Sequence, residues 1–424
     1  MPIVAGAQQC GACYATRMSP PPVTPHNNSG ADRNVIATLG AGLFTNGVWD
    51  MLGVLVPLYA VAVGLNAAEI GLIVAARSVL PAVLSIHGGI LMDQLGTRRV
   101  LQWVAVASAL LPLLYPVSGW FTVLTLLQLF MGLASALGMA ASQTWAMQVS
   151  HGDTAMLARY SVATRIGTFL GPVAVGAVWD FFGAWAAFTC VALCGAGVIA
   201  TTARSTSDGA TPPSVDNPAH GRGLAVLLPS WELHKQALLL AMIPSIAFIL
   251  AASFLRNSSG AIQASLFVVY LNGIGMSGTL IGALVATAEL SGVAGSLLAA
   301  PVEKRLGAAP LVIACITVSL VCMAATPLIA SFLIVLIAAC VLRGIVQGMS
   351  QPLMYAILSN EVPGGRHGAS VGLRNAVVRL GSIITPAAMG LAAEAWGIEM
   401  SFYVIGAVFM LITAGLAIAA RRVR

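Results

Sequence analysis

Gly89-Ile-Leu-Met-Asp93-Gln-Leu-Gly96-Thr-Arg98-Arg99 lies between two apolar runs, and the segment ending in its Gly96 recurs farther along the chain. Residues 44–96 lie over residues 255–307 without a gap. Asn46 matches Asn257, Tyr59 matches Tyr270, Gly64 matches Gly275, Ile70-Gly71 matches Ile281-Gly282, and Leu95-Gly96 matches Leu306-Gly307. A second block pairs Arg165, Gly167, Pro172, Gly176, Gly183 and Phe188 with Arg379, Gly381, Pro386, Gly390, Gly397 and Phe402. A chain built twice over, with a charged loop after the second apolar run of each half, has the organisation of a two-lobed membrane transporter.

Composition agrees. Hydrophobic residues make up 58% of the chain, charged residues 8%, and mean hydropathy is +0.91, which excludes an ordinary soluble globule. Twelve apolar runs of membrane-spanning length are read at roughly 35–62, 68–90, 99–117, 120–147, 158–180, 184–203, 240–272, 279–301, 308–328, 331–358, 368–392 and 400–420. Each must be a helix, because lipid offers the backbone no hydrogen-bond partner. The expected fold is therefore an all-α membrane protein of two pseudo-symmetric six-helix bundles. Residues 35–203 form the first, and residues 237–424, ending in a short basic tail, form the second.

Basic residues from Arg98-Arg99 to Arg421-Arg422 fall on one side of this arrangement. The opposite loops hold Glu69, Asp180, Glu394 and Glu399 and no lysine or arginine. The positive-inside rule then puts both termini in the cytoplasm of a cell bounded by this plasma membrane. The same asymmetry accounts for the sequence pI of about 9.1, so no nucleic-acid partner is needed to explain it. Residues 1–34, rich in Pro, Ser and Asn, read as a disordered tail without a signal peptide, and Met18 is a second candidate start. Residues 204–236 read as the linker between lobes. Cys10 and Cys13 form a CxxC without a second ligand pair, so neither a metal site nor a cofactor is expected.

From residue 35 onward the chain resembles the major facilitator superfamily. Gly89-xxx-Asp93-x-x-Gly96-x-Arg98-Arg99 is similar to that superfamily's signature between helices 2 and 3, with Gln94 where a basic residue is usual. The second-half copy, Pro301 to Gly307, puts Lys304 where Asp93 stands. The resemblance implies that Gly89 and Gly96 allow a close turn. It also implies that Asp93 meets the N-terminus of helix 11 near Gly368, latching a gate on the basic side. Asp93→Asn should then slow turnover in a transport assay while leaving membrane insertion, read by fractionation, intact. Gly167-xxx-Gly171-Pro172-xxx-Gly176 in helix 5 is similar to the glycine-proline bend of the superfamily's antiporters, with Val175 in place of one glycine. Helix 4 lacks the arginine that drug antiporters of the family carry; an Arg343-xxx-Gln347-Gly348 run appears in helix 10 instead.

Ionisable residues within spans cost about 2.5–3.5 kcal/mol each on insertion scales, so each is a functional candidate. Asp50 on helix 1 and Arg77 on the antiparallel helix 2 fall at similar depth, with Asn46 one turn from Asp50. A carboxylate beside a cation suits a proton-coupling switch, or a static helix-locking pair. Arg256-Asn257-Ser258-Ser259-Gly260 reads as a polar break in helix 7, where transporters place substrate sites. Glu289 on helix 8 is expected to pair with Arg256 or Arg343, or to carry a second proton. Arg165 and Arg379, with Arg374, are expected nearer the basic loops as gate contacts. Six arginines in spans against Asp50 and Glu289 imply a positive cavity, hence an anionic or zwitterionic organic solute moved with protons.

Three other readings compete. An amphipathic-drug efflux antiporter would use the helix 5 bend. A non-transporting sensor or assembly factor would keep the fold without the cycle. An enzyme would need a constellation that is missing, with neither HExxH nor an evident Ser/His/Asp set or acidic pair, and the lack of a phosphate-binding GxxxxGK[ST] speaks against an ATP-driven pump. The expected partners are a small-molecule solute, protons and the lipid bilayer, and monomer is the family default.

Overall fold

The computed structural model describes residues 28–150, 153–204, 242–361 and 367–422. The expected tail up to residue 27, with Cys10 and Cys13, and nearly all of the expected linker lie outside them. Helix α1 (Asn28–Ala62) starts earlier than residue 35, and α2 (Ala67–Leu95), α3 (Thr97–Leu110) and α4 (Phe121–Ser150) follow. A 3-10 turn, Leu111–Val117, completes the third span, its pitch tightened by Pro112 and Pro116. One helical run, Thr154–Ala203, is broken at Gly183 into α5 (154–182) and α6 (184–203). In the second lobe α7 is Pro244–Ile262, carried on by Gln263–Phe267 and Val268–Gly273. Then come α8 (Gly278–Leu306), α9 (Ala308–Ala324), α10 (Leu333–Glu361), α11 (His367–Trp396) and α12 (Ile398–Arg422). Among the described residues ten helices are long and apolar enough to cross a membrane unaided. The break at Gly183 makes two spans of one of these, and α9 supplies the twelfth.

The internal repeat in the sequence is a repeat in space. Among the described residues, all six glycines with positive φ fall into three repeat-related pairs: Gly64 and Gly275, Gly96 and Gly307, Gly183 and Gly397. Each turns the chain between antiparallel helices in a conformation that costs an L side chain roughly 1–2 kcal/mol. Packing repeats as well. A Cβ on Gly167 would strike the Leu43 carbonyl in the first lobe, and one on its mate Gly381 would lie 3.3 Å from that of Phe254, the residue that matches Leu43. Tyr59 meets Phe188 edge-on at 5.3 Å between ring centroids, and Tyr270 meets Phe402 at 5.7 Å.

The two lobes touch through the same repeated residues. A Cβ on Gly71 of α2 would strike the Pro386 carbonyl and come within 2.9 Å of the Gly390 Cα on α11. Its mate Gly282 of α8 would strike the Pro172 carbonyl on α5, and Gly176 would strike that of Gly278. Bare backbones thus pack on bare backbones at two pseudo-symmetric seams. Both seams lie near the ends of the helices that carry the acidic loops.

Candidate functional site

Between the lobes lies a cavity of three adjoining chambers. The first, about 300 Å³, is bounded by Trp49, Asp50, Arg77, Asn257, Gln263 and Glu289. The second, also about 300 Å³, is bounded by Arg165, Arg256, Glu289, Arg343, Gln347 and Gln351. The third, about 700 Å³, runs along α4 and α5 toward the basic loops past Asn46, Asp50, Gln143, Arg165, Thr168 and Glu289. Glu289 borders all three, and Asp50 the first and third. Every residue expected to serve solute or proton is therefore on the wall of one space.

Their partners differ from the expected ones. Arg77 does not close on Asp50. Its guanidinium lies 3.6 Å from the centroid of the Trp49 ring and donates to the Trp49 carbonyl, while its Nε has no partner. Arg379 approaches the same ring at 5.5 Å, so Trp49 of the first lobe stands between a cation of each lobe. Arg256 is held by neutral acceptors on α10: its Nε donates to Ser350 Oγ at 2.9 Å, and its Nη2 to the Gln347 carbonyl at 3.1 Å and Gln351 Oε1 at 3.2 Å. Arg343, only 3% exposed, donates to Gln263 Oε1. Among the described residues no carboxylate comes within 4.0 Å of a cavity arginine, so neither expected pairing of Glu289 is formed.

The expected break at Arg256–Gly260 is not there. Helix α7 runs unbroken through it, because each small polar side chain finds a partner. Ser258 Oγ donates to the Phe254 carbonyl at 2.9 Å and accepts from Thr385 at 2.8 Å, while Ser259 and Ser319 hydroxyls meet at 2.7 Å. Asn257 Nδ2 donates to the Val378 carbonyl and to Ser382 Oγ, each at 2.8 Å. The irregularity lies just beyond, in the π turn Gln263–Phe267. An inserted residue of that kind re-aims side chains and recurs at functional sites. Here it contains Gln263, a cavity residue that sequence reasoning missed.

The gate candidates divide. Arg374 donates to Ser253 Oγ and to the Tyr355 hydroxyl, both at 3.0 Å, and so ties α7, α10 and α11 together within one lobe. Arg98 Nε donates to the Thr202 carbonyl at 3.1 Å, again within a lobe. Arg99 is exposed, and Gly96 makes the turn into α3. A Cβ on Gly171 would come within 3.0 Å of Met51 Cγ inside the first lobe, whereas Pro172 offers its carbonyl to the seam. The surroundings of Gly89 and the side chain of Asp93 lie outside what the structure describes.

One cross-lobe contact came from a residue read only as a loop charge. Asp180, at the end of α5, caps α8 of the other lobe. Its Oδ1 accepts from the Gly278 amide at 2.8 Å; its Oδ2 accepts from the Thr279 amide at 2.7 Å and hydroxyl at 2.6 Å. A carboxylate on a helix N-terminus satisfies orphan amides and complements the dipole. Capping of this kind is worth about 1 kcal/mol. Asp180→Ala should therefore loosen the seam and raise the share of molecules open on the acidic side by about fivefold. The measurement is the rate at which an impermeant thiol reagent, added from that side, reaches Val285→Cys on the cavity wall in a cysteine-free background.

A cavity between two repeat-related halves, sealed by backbone seams at one face, defines a membrane transporter rather than an enzyme. The chain belongs to the Major Facilitator Superfamily, whose model matches residues 38–256 and 249–424. No curated protein matches it in sequence. Among solved structures it is similar to a variant of the nucleoside transporter NupG, at 12% identity and TM-score 0.77, over 91% of this chain and 99% of that one. It is also similar to a peptide transporter POT in complex with sulfate, at 14% identity and TM-score 0.72, over 92% and 94% of the two chains. At such identities the likeness is one of fold.

Proposed function

We propose that this protein is a proton-coupled secondary transporter for a small organic solute bearing negative charge, anionic or zwitterionic. It would lie in the cytoplasmic membrane with both termini in the cytoplasm. The observation that carries the reading is the cavity wall. Arg77, Arg165, Arg256 and Arg343 line it from both lobes, against Asp50 and Glu289. Such an excess of guanidinium favours carboxylate or phosphate groups and disfavours lipophilic cations. The two carboxylates are the acids available there to carry a proton. With the seams closed on the acid-loop side and the third chamber reaching the basic loops, the conformation is inward-facing. Rocking of the lobes about the cavity would expose it to the other side.

The glycine-proline stretch of α5 serves the lobe seam through Pro172 and Gly176, so it adds no weight to a drug antiporter. The test is proton movement in dye-loaded proteoliposomes challenged separately with organic anions, zwitterions and lipophilic cations. Flux with either of the first two classes is expected. Flux with lipophilic cations alone would overturn the reading.

A further inference from the structure

We propose that the solute is a zwitterion of amino-acid size, held at both ends in the second chamber, its anionic group among Arg165, Arg256 and Arg343 and its ammonium on Glu289. This rests on the transporter reading above and narrows it.

The second chamber brings three guanidinium groups and one carboxylate to a space of about 300 Å³. Opposite charges in a low-dielectric interior ordinarily neutralise one another by pairing. Here, among the described residues, none of the three arginines closes to within 4.0 Å of Glu289. Two of them are held instead by uncharged acceptors: Arg256 by Ser350, Gln351 and the Gln347 carbonyl, Arg343 by Gln263. Neutral acceptors fix a guanidinium in place without cancelling its charge. The wall is thus preorganised with both signs still available to a ligand.

The adjoining first chamber, where Gln263 lies, holds an incomplete network as well. Gln263 Oε1 is occupied by Arg343, while its Nε2 is buried without a partner in a side chain only 5% exposed. Arg77 Nε, in another residue of that first chamber, is in the same condition. Buried donors left unpaired are costly, so they mark the first chamber's wall as incompletely satisfied in this conformation.

Each alternative charge type leaves something unpaid. A simple anion would offset part of the chamber's positive excess but give Glu289 no donor at hydrogen-bond distance. A simple cation would face three guanidinium groups. A molecule with both charges on one short skeleton satisfies the chamber at each end. The volume is at the low end for small-molecule sites, which suits an amino-acid-sized solute. Arg165 comes from the first lobe and the other three residues from the second, so such a ligand bridges the lobes.

The test is binding to the full-length protein purified in detergent, read as the concentration giving half-maximal thermal stabilisation. The probes are free α-, β- and γ-amino acids, their N-acetyl derivatives and their methyl esters. At least one free amino acid should stabilise the protein, and blocking either end should weaken it by about tenfold or more. This comparison uses the unaltered protein and is independent of any variant's folding. Glu289→Gln should remove the discrimination against N-acetyl forms, and Arg343→Gln the discrimination against esters. N-acetyl forms binding as well as their parents would overturn the zwitterion. Esters binding equally well would overturn it too, as would silence across the whole panel. Proton flux evoked by N-acetyl anions in proteoliposomes would leave the transporter reading standing and remove the zwitterion alone.

Discussion

Asp50→Asn should abolish solute-driven proton movement while leaving exchange of solute for solute across the same membrane. Asp50 lies twelve residues from the end of α1 at Ala62, about 18 Å along the axis at 1.5 Å per residue, hence near the middle of a hydrocarbon core about 30 Å thick. A charge at that depth is expensive, and this one lacks the compensating arginine contact that would make it a structural pair. Its nearest candidate, Arg77, is committed to Trp49. Asp50 instead looks into the first and third chambers, and shares both with Glu289 of the other lobe. Asparagine keeps the shape and the hydrogen-bonding oxygen but cannot take up and release a proton. Exchange needs only the solute and the rocking motion, so it should survive. Proton movement of unreduced size in the variant would exclude Asp50 from coupling. Loss of exchange together with flux would make it a structural residue.

Sequence alone carried the architecture far and the contacts only part of the way. The twelve spans were legible because lipid imposes one length and one composition on every crossing helix. Gly64, Gly96 and Gly183 were legible with their mates because a turn that needs positive φ leaves few other choices. Side-chain pairing follows no such rule. Arg77 and Asp50 fall at matching depth, yet a helix offers several faces at any depth, and Trp49 beside Asp50 presents the larger and nearer surface. Arg256-Asn257-Ser258-Ser259-Gly260 has the composition of a break, but serine and asparagine satisfied by neighbouring helices leave the backbone ladder intact. The π turn at Gln263 has no marker in the sequence that we recognise. Asp180 was visible as a charge on the acidic side. That it crosses to α8 depends on how the lobes meet, which neither half of a repeat specifies by itself.

Gly282→Leu should hold the transporter open on the acid-loop side and stop net transport. The reason is local. A Cβ at position 282 would strike the Pro172 carbonyl and lie 3.2 Å from the Val173 amide, and backbone cannot yield as the tip of a flexible side chain does. The closed seam is then reached only by parting α5 from α8. Overpacking of this kind costs about 1–3 kcal/mol, which shifts the balance of the two states by roughly 5- to 150-fold. The state with the seam already open bears none of that cost, so the change acts on conformation more than on folding. Gly71→Leu should do the same at the second seam, where Pro386 and Gly390 stand in for Pro172 and Gly176. Gly273→Leu is the control, since nothing lies within 4 Å of a Cβ placed there. Impermeant-reagent labelling of Val285→Cys from the acid-loop side should accelerate in the two seam variants and not in the control. Unchanged labelling with transport intact would mean that the seams are mere crowding and that some other contact closes the lobes.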